Sequence, residues 1–317
     1  MTEAFITWRP SSDTQALLGV IDTVLSEYEA MGYQLTLRQL YYQLVSRDVI
    51  PNTVRQYKAL GGIVSQGRLA GLIDWKMIED RVRVPVANTH WNVPSAIMKA
   101  AAEGFYIDRW RNQRHYVEVC CEKDAVSNII EPVCRQWDVL FLANRGYSSQ
   151  TAMYDASKRL LRADREQKLC IVLYFGDHDP SGLDMTRDVQ DRLAIFGARV
   201  EVHRVALSMA QVEKYDPPEN PAKQTDSRFA AYAAEHGDSS WELDALAPDV
   251  LAKLVEKAIT KYVDKTEFGR VVADEHKEKQ RLQTLAAIFE TSGDQLNALI
   301  DRAMTDQADG EETDDGE

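Results

Sequence analysis

The 317-residue chain is 44% hydrophobic and 27% charged, with a net charge of -13; it has apolar material for two compact domains and too much for a disordered tether. No stretch approaches the roughly 18 apolar residues that span a bilayer, and no basic leader precedes an apolar run, so a protein without membrane association and in the cytoplasm is expected. Cys120, Cys121, Cys134 and Cys170 form no CxxC pair and the six histidines stand singly, which argues against zinc ribbons and redox pairs and reads the cysteines as reduced core residues.

The periodicity predicts a first helix over residues 13–30, where Leu17, Leu18, Ile21, Val24, Leu25 and Tyr28 recur at helical spacing before Gly32. Thr36 is the expected N-cap of a second helix over 37–47, with the stripe Leu37, Leu40, Tyr41, Leu44 and Val45. A third helix runs from 53 towards 72. Gly61 and Gly62 in its middle each cost about 1 kcal/mol relative to alanine and mark an expected break or close approach. Next, Arg81-Val82-Arg83-Val84 alternates charged and apolar residues. Helix, turn, basic helix and basic alternating segment make the pattern of a winged helix-turn-helix over residues 1–84. A small helical domain whose bases face no groove has the same pattern.

The negative total conceals a basic patch. Residues 306–317 carry seven acids and no base, an expected disordered tail, whereas residues 51–115 hold ten bases against five acids. Within that patch Arg55, Lys58, Arg68, Arg81 and Arg83 are candidate DNA contacts, since backbone phosphates are bound chiefly by lysine and arginine. Residues 85–115 read as a connector punctuated by Pro85, Pro94 and Gly104, with a short helix over 95–103. Its end, Arg109-Trp110-Arg111-Asn112-Gln113-Arg114, is either a phosphate-contacting surface or a solvated linker.

From Tyr116 the pattern changes to short apolar runs separated by amphipathic helices, the signal of a parallel sheet with crossovers. Strands are expected over 116–121, 139–143, 169–175 and 200–205, and helices over 124–136, 149–165 and 183–196. The expected class is α/β, with a sheet domain over 116–210, a mostly helical extension over 211–304 and the acidic tail over 305–317. Trp241-Glu242-Leu243-Asp244 and the charged helix near 274–281 have no role derivable from sequence and read as solvated or dimer-facing surfaces.

Ligands of open α/β sheets sit beyond the carboxyl ends of the strands. Three acids fall there: Glu122 after the first strand, and Asp177 and Asp179 after the third, in Gly176-Asp177-His178-Asp179-Pro180-Ser181-Gly182. Acids at i and i+2 of an extended segment point to one side and can share a hard cation such as Mg2+, while His178 points away. Pro180 stops the strand and Gly182 permits the turn into the next helix. The alternative makes Asp177 a helix N-cap and Glu122 a loop acid.

Cys121-Glu122-Lys123-Asp124-Ala125, then Arg145-Gly146-Tyr147-Ser148-Ser149, then Asp177-His178-Asp179-Pro180-Ser181-Gly182 resemble the Toprim domain. Among Toprim proteins they are most similar to the A subunit of topoisomerase VI, a type IIB topoisomerase, and to its meiotic double-strand-break relatives, over roughly residues 34–210. The resemblance implies that Glu122, Asp177 and Asp179 bind the metal. Ser148-Ser149 stand where the topoisomerase subunits usually carry proline and aspartate. The relatives cleave DNA with a winged-helix tyrosine, and the corresponding motif here is Arg38-Gln39-Leu40-Tyr41-Tyr42, with Gln39 in place of the acid. Tyr41 lies on the apolar stripe; Tyr42 falls off it, one turn after Arg38, and matches the family nucleophile. A phenol with a pKa near 10 needs a cation or metal to attack phosphorus, and Arg38 is placed to favour phenolate or hold phosphate.

The expected activity is Mg2+-dependent DNA cleavage by tyrosine transesterification. By the resemblance the tyrosine and the acids of one site come from different subunits, which implies a homodimer. With no GxxxxGK[ST] in the chain, strand passage would need a separate ATPase B-type subunit. Two alternatives stand: a Toprim nuclease that uses metal-activated water, and a non-catalytic winged-helix DNA-binding protein.

Overall fold

The computed structural model describes residues 4–79, 90–143, 150–293, 295, 298, 299 and 302. The expected basic wing at 81–84, the segment 145–149 and the acidic tail lie outside the described residues. Two compact units emerge: one comprises residues 1–84 and 113–263, the other residues 85–112 and 264–317.

The larger unit opens with α1 (Ser12–Ala30), β1 (Leu35–Thr36), α2 (Leu37–Ser46) and α3 (Val54–Leu69), followed by β2 (Ile78–Glu79), which pairs with β1 in parallel. Helix starts follow their caps. The Ser11 side chain accepts from Thr14 N, and Thr36 and Gln39 form a reciprocal capping box at α2. Leu18, Ile21, Val24, Leu25 and Tyr28 of α1 pack with Leu40, Tyr41 and Leu44 of α2 and with Leu60 and Val64 of α3. Of the expected break or close approach at Gly61 and Gly62, the break is absent, since α3 runs through both; a Cβ at Gly61 would only touch Leu37 at 3.4 Å, and one at Gly62 would meet nothing.

The sheet domain follows: β3 (His115–Cys121), α5 (Ser127–Gln136), β4 (Leu140–Ala143), α6 (Gln150–Arg165), β5 (Leu169–Phe175), α7 (Pro180–Ile195) and β6 (Glu201–Ala206), with α4 (Pro94–Glu103) preceding it in the other unit. All four strands are parallel, in the order β4-β3-β5-β6. The parallel α/β sheet expected from the sequence is therefore present. Strand alternation splits the core between two faces. Cys120, Cys170, Val172 and Tyr174 pack beneath Met153 and Leu160 of α6 and Met185, Val189 and Leu193 of α7. Helix α5 packs instead with α10 (Pro248–Thr260), which also meets β6.

This arrangement follows from handedness. Crossovers between parallel strands are right-handed, so a chain that steps from β3 to β4 and then back across β3 to β5 must change faces. Helix α5 thus lies on one face and α6 and α7 on the other. The strand order reverses between β3 and β5, and at such a switch point the flanking helices diverge, which is where open α/β sheets place their ligands.

Between β6 and α10 lie α8 (Met209–Tyr215), β7 (Glu219–Pro221), α9 (Phe229–His236) and β8 (Ser239–Trp241); β7 and β8 pair antiparallel, and a 3-10 turn covers Leu243–Ala245. The smaller unit packs α4 on α11 (Lys265–Thr291). Glu275 of α11 is 3% exposed, pairs with Arg109 at 2.9 Å and accepts from Ile107 N. Arg111 faces Asp274 at 3.7 Å, and Trp110 is buried. The reading of 274–281 as a solvated or dimer-facing surface is thus corrected at Glu275, which is buried and paired with Arg109. Among the described residues no helix is long and apolar enough to cross a membrane.

All four cysteines are free and buried, and burial pushes the thiols of Cys134 and Cys170 up to about 12 and about 11. Under the sheet, Glu118 is 3% exposed and is satisfied by Arg159 of α6 at 2.8 and 3.0 Å and by the Tyr116 hydroxyl at 2.8 Å. Removing one partner of a buried ion pair strands the other charge and costs about 3–5 kcal/mol, less here because Arg159 is a third exposed. Arg159→Leu is expected to lower unfolding free energy by about 2 kcal/mol in urea titrations. The double variant Glu118→Leu/Arg159→Leu is expected to recover at least half of that loss.

Candidate functional site

Glu122 and Asp177 emerge side by side at the switch point. Cys121 and Phe175 are in register at the ends of β3 and β5, and Glu122 N donates to Phe175 O at 3.0 Å. The Tyr174 hydroxyl donates to Glu122 Oε2 at 2.9 Å, and Asp177 N donates to Glu122 Oε1 at 3.0 Å. Burial, with the neighbouring charge of Asp177, pushes the Glu122 carboxyl up to about 7. Asp177 is 9% exposed; burial raises its pKa and Lys123 pulls it back. Asp179 takes the N-cap position of α7 and accepts from Gly182 N, so the helix cap that the alternative reading gave to Asp177 falls two residues later. His178 turns away, as expected, into a buried box with Tyr232, His236 and Trp241, and burial pushes its pKa down to about 4.

Two glycines and one arginine shape this corner. A Cβ on Gly176 would stand 2.6 Å from Glu122 Oε2, and one on Gly182 would stand 2.3 Å from Asp177 O. Arg204, from β6, donates to the carbonyls of Gly176 (3.1 Å), Gly182 (2.7 Å), Leu207 (3.2 Å) and Asp177. Its guanidinium sits in the field of Glu122, Asp177 and Asp179, and burial still lowers its pKa. One side chain thereby fixes the turn that carries both aspartates.

Lys123 is the centre of the charge pattern. Its ammonium meets Asp177 Oδ2 at 2.9 Å, Glu242 Oε2 at 2.7 Å and Asp244 Oδ1 at 3.0 Å. Burial opposes the charge, yet Asp244 and Asp177 outweigh it and raise the Lys123 pKa. Glu242 Oε2 also accepts from Arg38 Nη2, and Arg38 Nε lies 2.8 Å from Asp244 Oδ2, close but without hydrogen-bond alignment. Arg38 Nη2 donates in turn to the Tyr42 hydroxyl at 3.3 Å, and Asn220 Nδ2 approaches the same oxygen at 3.4 Å. A continuous chain of polar contacts thus runs from Asp177 through Lys123, Glu242 and Arg38 to Tyr42, within one polypeptide.

The expectation for Tyr42 requires correction. Off the stripe of α2, it was expected outside the core, but it is 3% exposed, against 4% for Tyr41. Helix α2 is covered on a second side by the segment around Asn220 and by the 3-10 turn at Leu243–Ala245, where Tyr42 is buried; Gln43 is buried too, accepting from the Tyr28 hydroxyl of α1. Burial raises the Tyr42 pKa above its ordinary value, although Arg38 lowers it. Tyr41, by contrast, donates to Asn52 Oδ1 at 2.9 Å and Thr53 O at 3.1 Å.

The segment Trp241-Glu242-Leu243-Asp244, read from sequence as surface, is corrected too. The Asp244 side chain is fully buried and that of Glu242 is 24% exposed. Leu243 N donates to Asp177 Oδ1 at 2.7 Å, and His178 and Trp241 form an antiparallel bridge. The overlooked signal was the same i, i+2 acid spacing that singled out Asp177 and Asp179. Of the candidate DNA contacts, Arg55 and Lys58 are exposed on α3. Arg68 donates to Trp75 O and Ile78 O and lies over the Trp75 ring; its described contacts tie α3 to β2. Arg81 and Arg83 lie outside the described residues.

Carboxylate oxygens are the ligands a hard divalent cation prefers, and the crowded, hard-to-ionise Glu122 beside Asp177 is the environment that such a cation would relieve. Among the described residues no three side chains of His, Cys, Asp or Glu are grouped to hold an ion as they stand. No protein-family profile, curated protein or solved structure matches the chain.

The Gly176 contact yields a direct test. Gly176→Ala is expected to displace Glu122 and Tyr174 and to lower stability by about 1–3 kcal/mol, the cost typical of overpacking. Thermal melts of Gly176→Ala beside Gly62→Ala, where the added methyl meets nothing, check this: the first should fall by several degrees and the second should hold or rise.

Proposed function

We propose that the chain is a Mg2+-dependent DNA transesterase of the Toprim class, with Tyr42 as nucleophile and Glu122, Asp177 and Asp179 as metal ligands. The observation that carries this reading is the polar chain Asp177–Lys123–Glu242–Arg38–Tyr42, which joins a phenol on a helix to carboxylates at a sheet switch point. The winged-helix character of residues 1–84 and the Toprim character of the sheet domain belong to the same reading.

In this mechanism the Tyr42 oxygen forms a bond to a backbone phosphorus, and the P–O3′ bond breaks. The product is a 5′-phosphotyrosyl link and a free 3′-hydroxyl, which takes up a proton while the phenol gives one up. Arg38 holds the phenolate and a phosphate oxygen, and Arg55 and Lys58 bind flanking phosphates. A bound Mg2+ would supply charge neutralisation for the phosphate and the departing 3′-oxygen. The resemblance implies that the tyrosine and the acids of one site come from different subunits, whereas the polar chain joins them within one polypeptide; a homodimer and a separate ATPase subunit complete the topoisomerase form of the reading.

A second reading has its own observation. Tyr42 is buried and harder to ionise than a free phenol, which favours a nuclease in which metal-bound water replaces the tyrosine.

Denaturant-quenched reactions of the full chain with supercoiled DNA and Mg2+ separate the two. The transesterase reading expects DNA covalently attached to protein, lost at least 100-fold in Tyr42→Phe and in Glu122→Ala. Cleavage that persists in Tyr42→Phe without any adduct, but disappears in Glu122→Ala, assigns the water mechanism instead.

A further inference from the structure

Glu242 differs from its neighbours in the ion cluster. Asp244 is fully buried and Asp177 nearly so, whereas Glu242 keeps about a quarter of its side chain in solvent. A single oxygen, Oε2, takes hydrogen bonds from both Arg38 Nη2 and Lys123 Nζ. The same Arg38 nitrogen reaches the Tyr42 hydroxyl, where Asn220 Nδ2 also converges. An oxygen at this place is therefore held by two cations and is separated from the candidate nucleophile by one guanidinium nitrogen.

Those are the demands of a phosphodiester oxygen poised for attack by a phenol. Guanidinium and ammonium groups bind carboxylate and phosphate by the same charge-assisted hydrogen bonds. The exchange also conserves charge, because a phosphodiester and a carboxylate each carry one negative charge. Asp244 and Asp177 stay as fixed counter-ions of Arg38 and Lys123. Glu242 follows β8 directly and keeps about a quarter of its side chain in solvent, the side towards which its carboxylate would leave.

We propose that Glu242 is an internal stand-in for a DNA backbone phosphate: its carboxylate closes an anion receptor made by Arg38, Lys123 and Asn220 at the Tyr42 hydroxyl, and DNA binds there by displacing it. The receptor is thus shut in the DNA-free protein. The identity of the anion rests on the DNA-cleaving reading; the displacement itself does not depend on any chemistry.

The experiment measures binding of a fluorescent DNA duplex to the full chain in EDTA across a salt series, so that no cleavage occurs. Glu242→Gln is expected to bind about 5–10-fold more tightly than the wild type. Its slope of log affinity against log salt is expected to steepen by about one, as for one additional phosphate contact without an internal competitor. Adding Arg38→Gln to Glu242→Gln should erase the gain. Unchanged or weaker binding by a folded Glu242→Gln variant overturns the proposal, as does a gain that survives the loss of Arg38, which would reflect net charge alone. If Glu242→Gln fails to fold, Glu242→Ala is read in the same way; failure of both to fold overturns the proposal, since a displaceable side chain cannot be needed for folding. Absence of a covalent adduct in the wild type removes the transesterase reading and leaves this binding result standing.

Discussion

The site depends on one buried ion cluster. The largely buried Lys123, Asp177 and Asp244 form its centre, and Arg38, 40% of whose side chain is exposed, and Glu242 close it towards solvent; the five come from α2, the end of β3, the end of β5 and the turn after β8. Charges withdrawn from water are tolerated only when each is paired; stranding one costs about 3–5 kcal/mol at the largely buried Lys123, Asp177 and Asp244 and less at the solvent-screened Arg38 and Glu242. Four segments far apart in sequence are thereby bound to a common geometry. Ala245 enters the core of the N-terminal helices from the same turn, and Leu243 N reaches Asp177. The helical and sheet parts of the larger unit share this corner, and nucleophile and acid candidates meet there.

The sheet supplies the other constraint. Right-handed crossovers determine where a chain that reverses its strand order must open, and parallel register determines which residues stand at the opening. With Cys121 opposite Phe175, the next residues out are Glu122 and Gly176. Gly176 has to lack a side chain because Glu122 fills the space, and Arg204 ties down the carbonyls beyond it. The acidic corner is therefore a consequence of topology, packing and one arginine together.

Much of this was readable from the residues alone. The strand at Leu169–Phe175 and the capped start of α2 at Thr36 follow from local patterns, and the placing of Glu122, Asp177 and Asp179 at strand ends follows from those strands. Tyr42 was harder, because helical periodicity describes one packed face and α2 is packed on two. Arg204, Glu242 and Asp244 were missed for a related reason. Their partners lie at distances in sequence, up to 204 residues between Arg38 and Glu242, that no local pattern encodes. Arg109 read as part of either a phosphate-contacting surface or a solvated linker, and neither reading foresaw Glu275, which pairs with it across 166 residues.

The smaller unit has a consequence for how the protein is made. Helix α4 and its partner α11 are separated by the second half of the larger unit, and Lys99 pairs with Glu290 across 191 residues. During synthesis α4 leaves the ribosome long before α11 exists, at rates near 5–20 residues per second. For roughly ten seconds or more α4 waits without the helix it packs against, and the intervening sheet has time to assemble first. The order of birth along the chain thus favours completing the corner that holds Glu122 and Asp177 before the last helix closes its own unit.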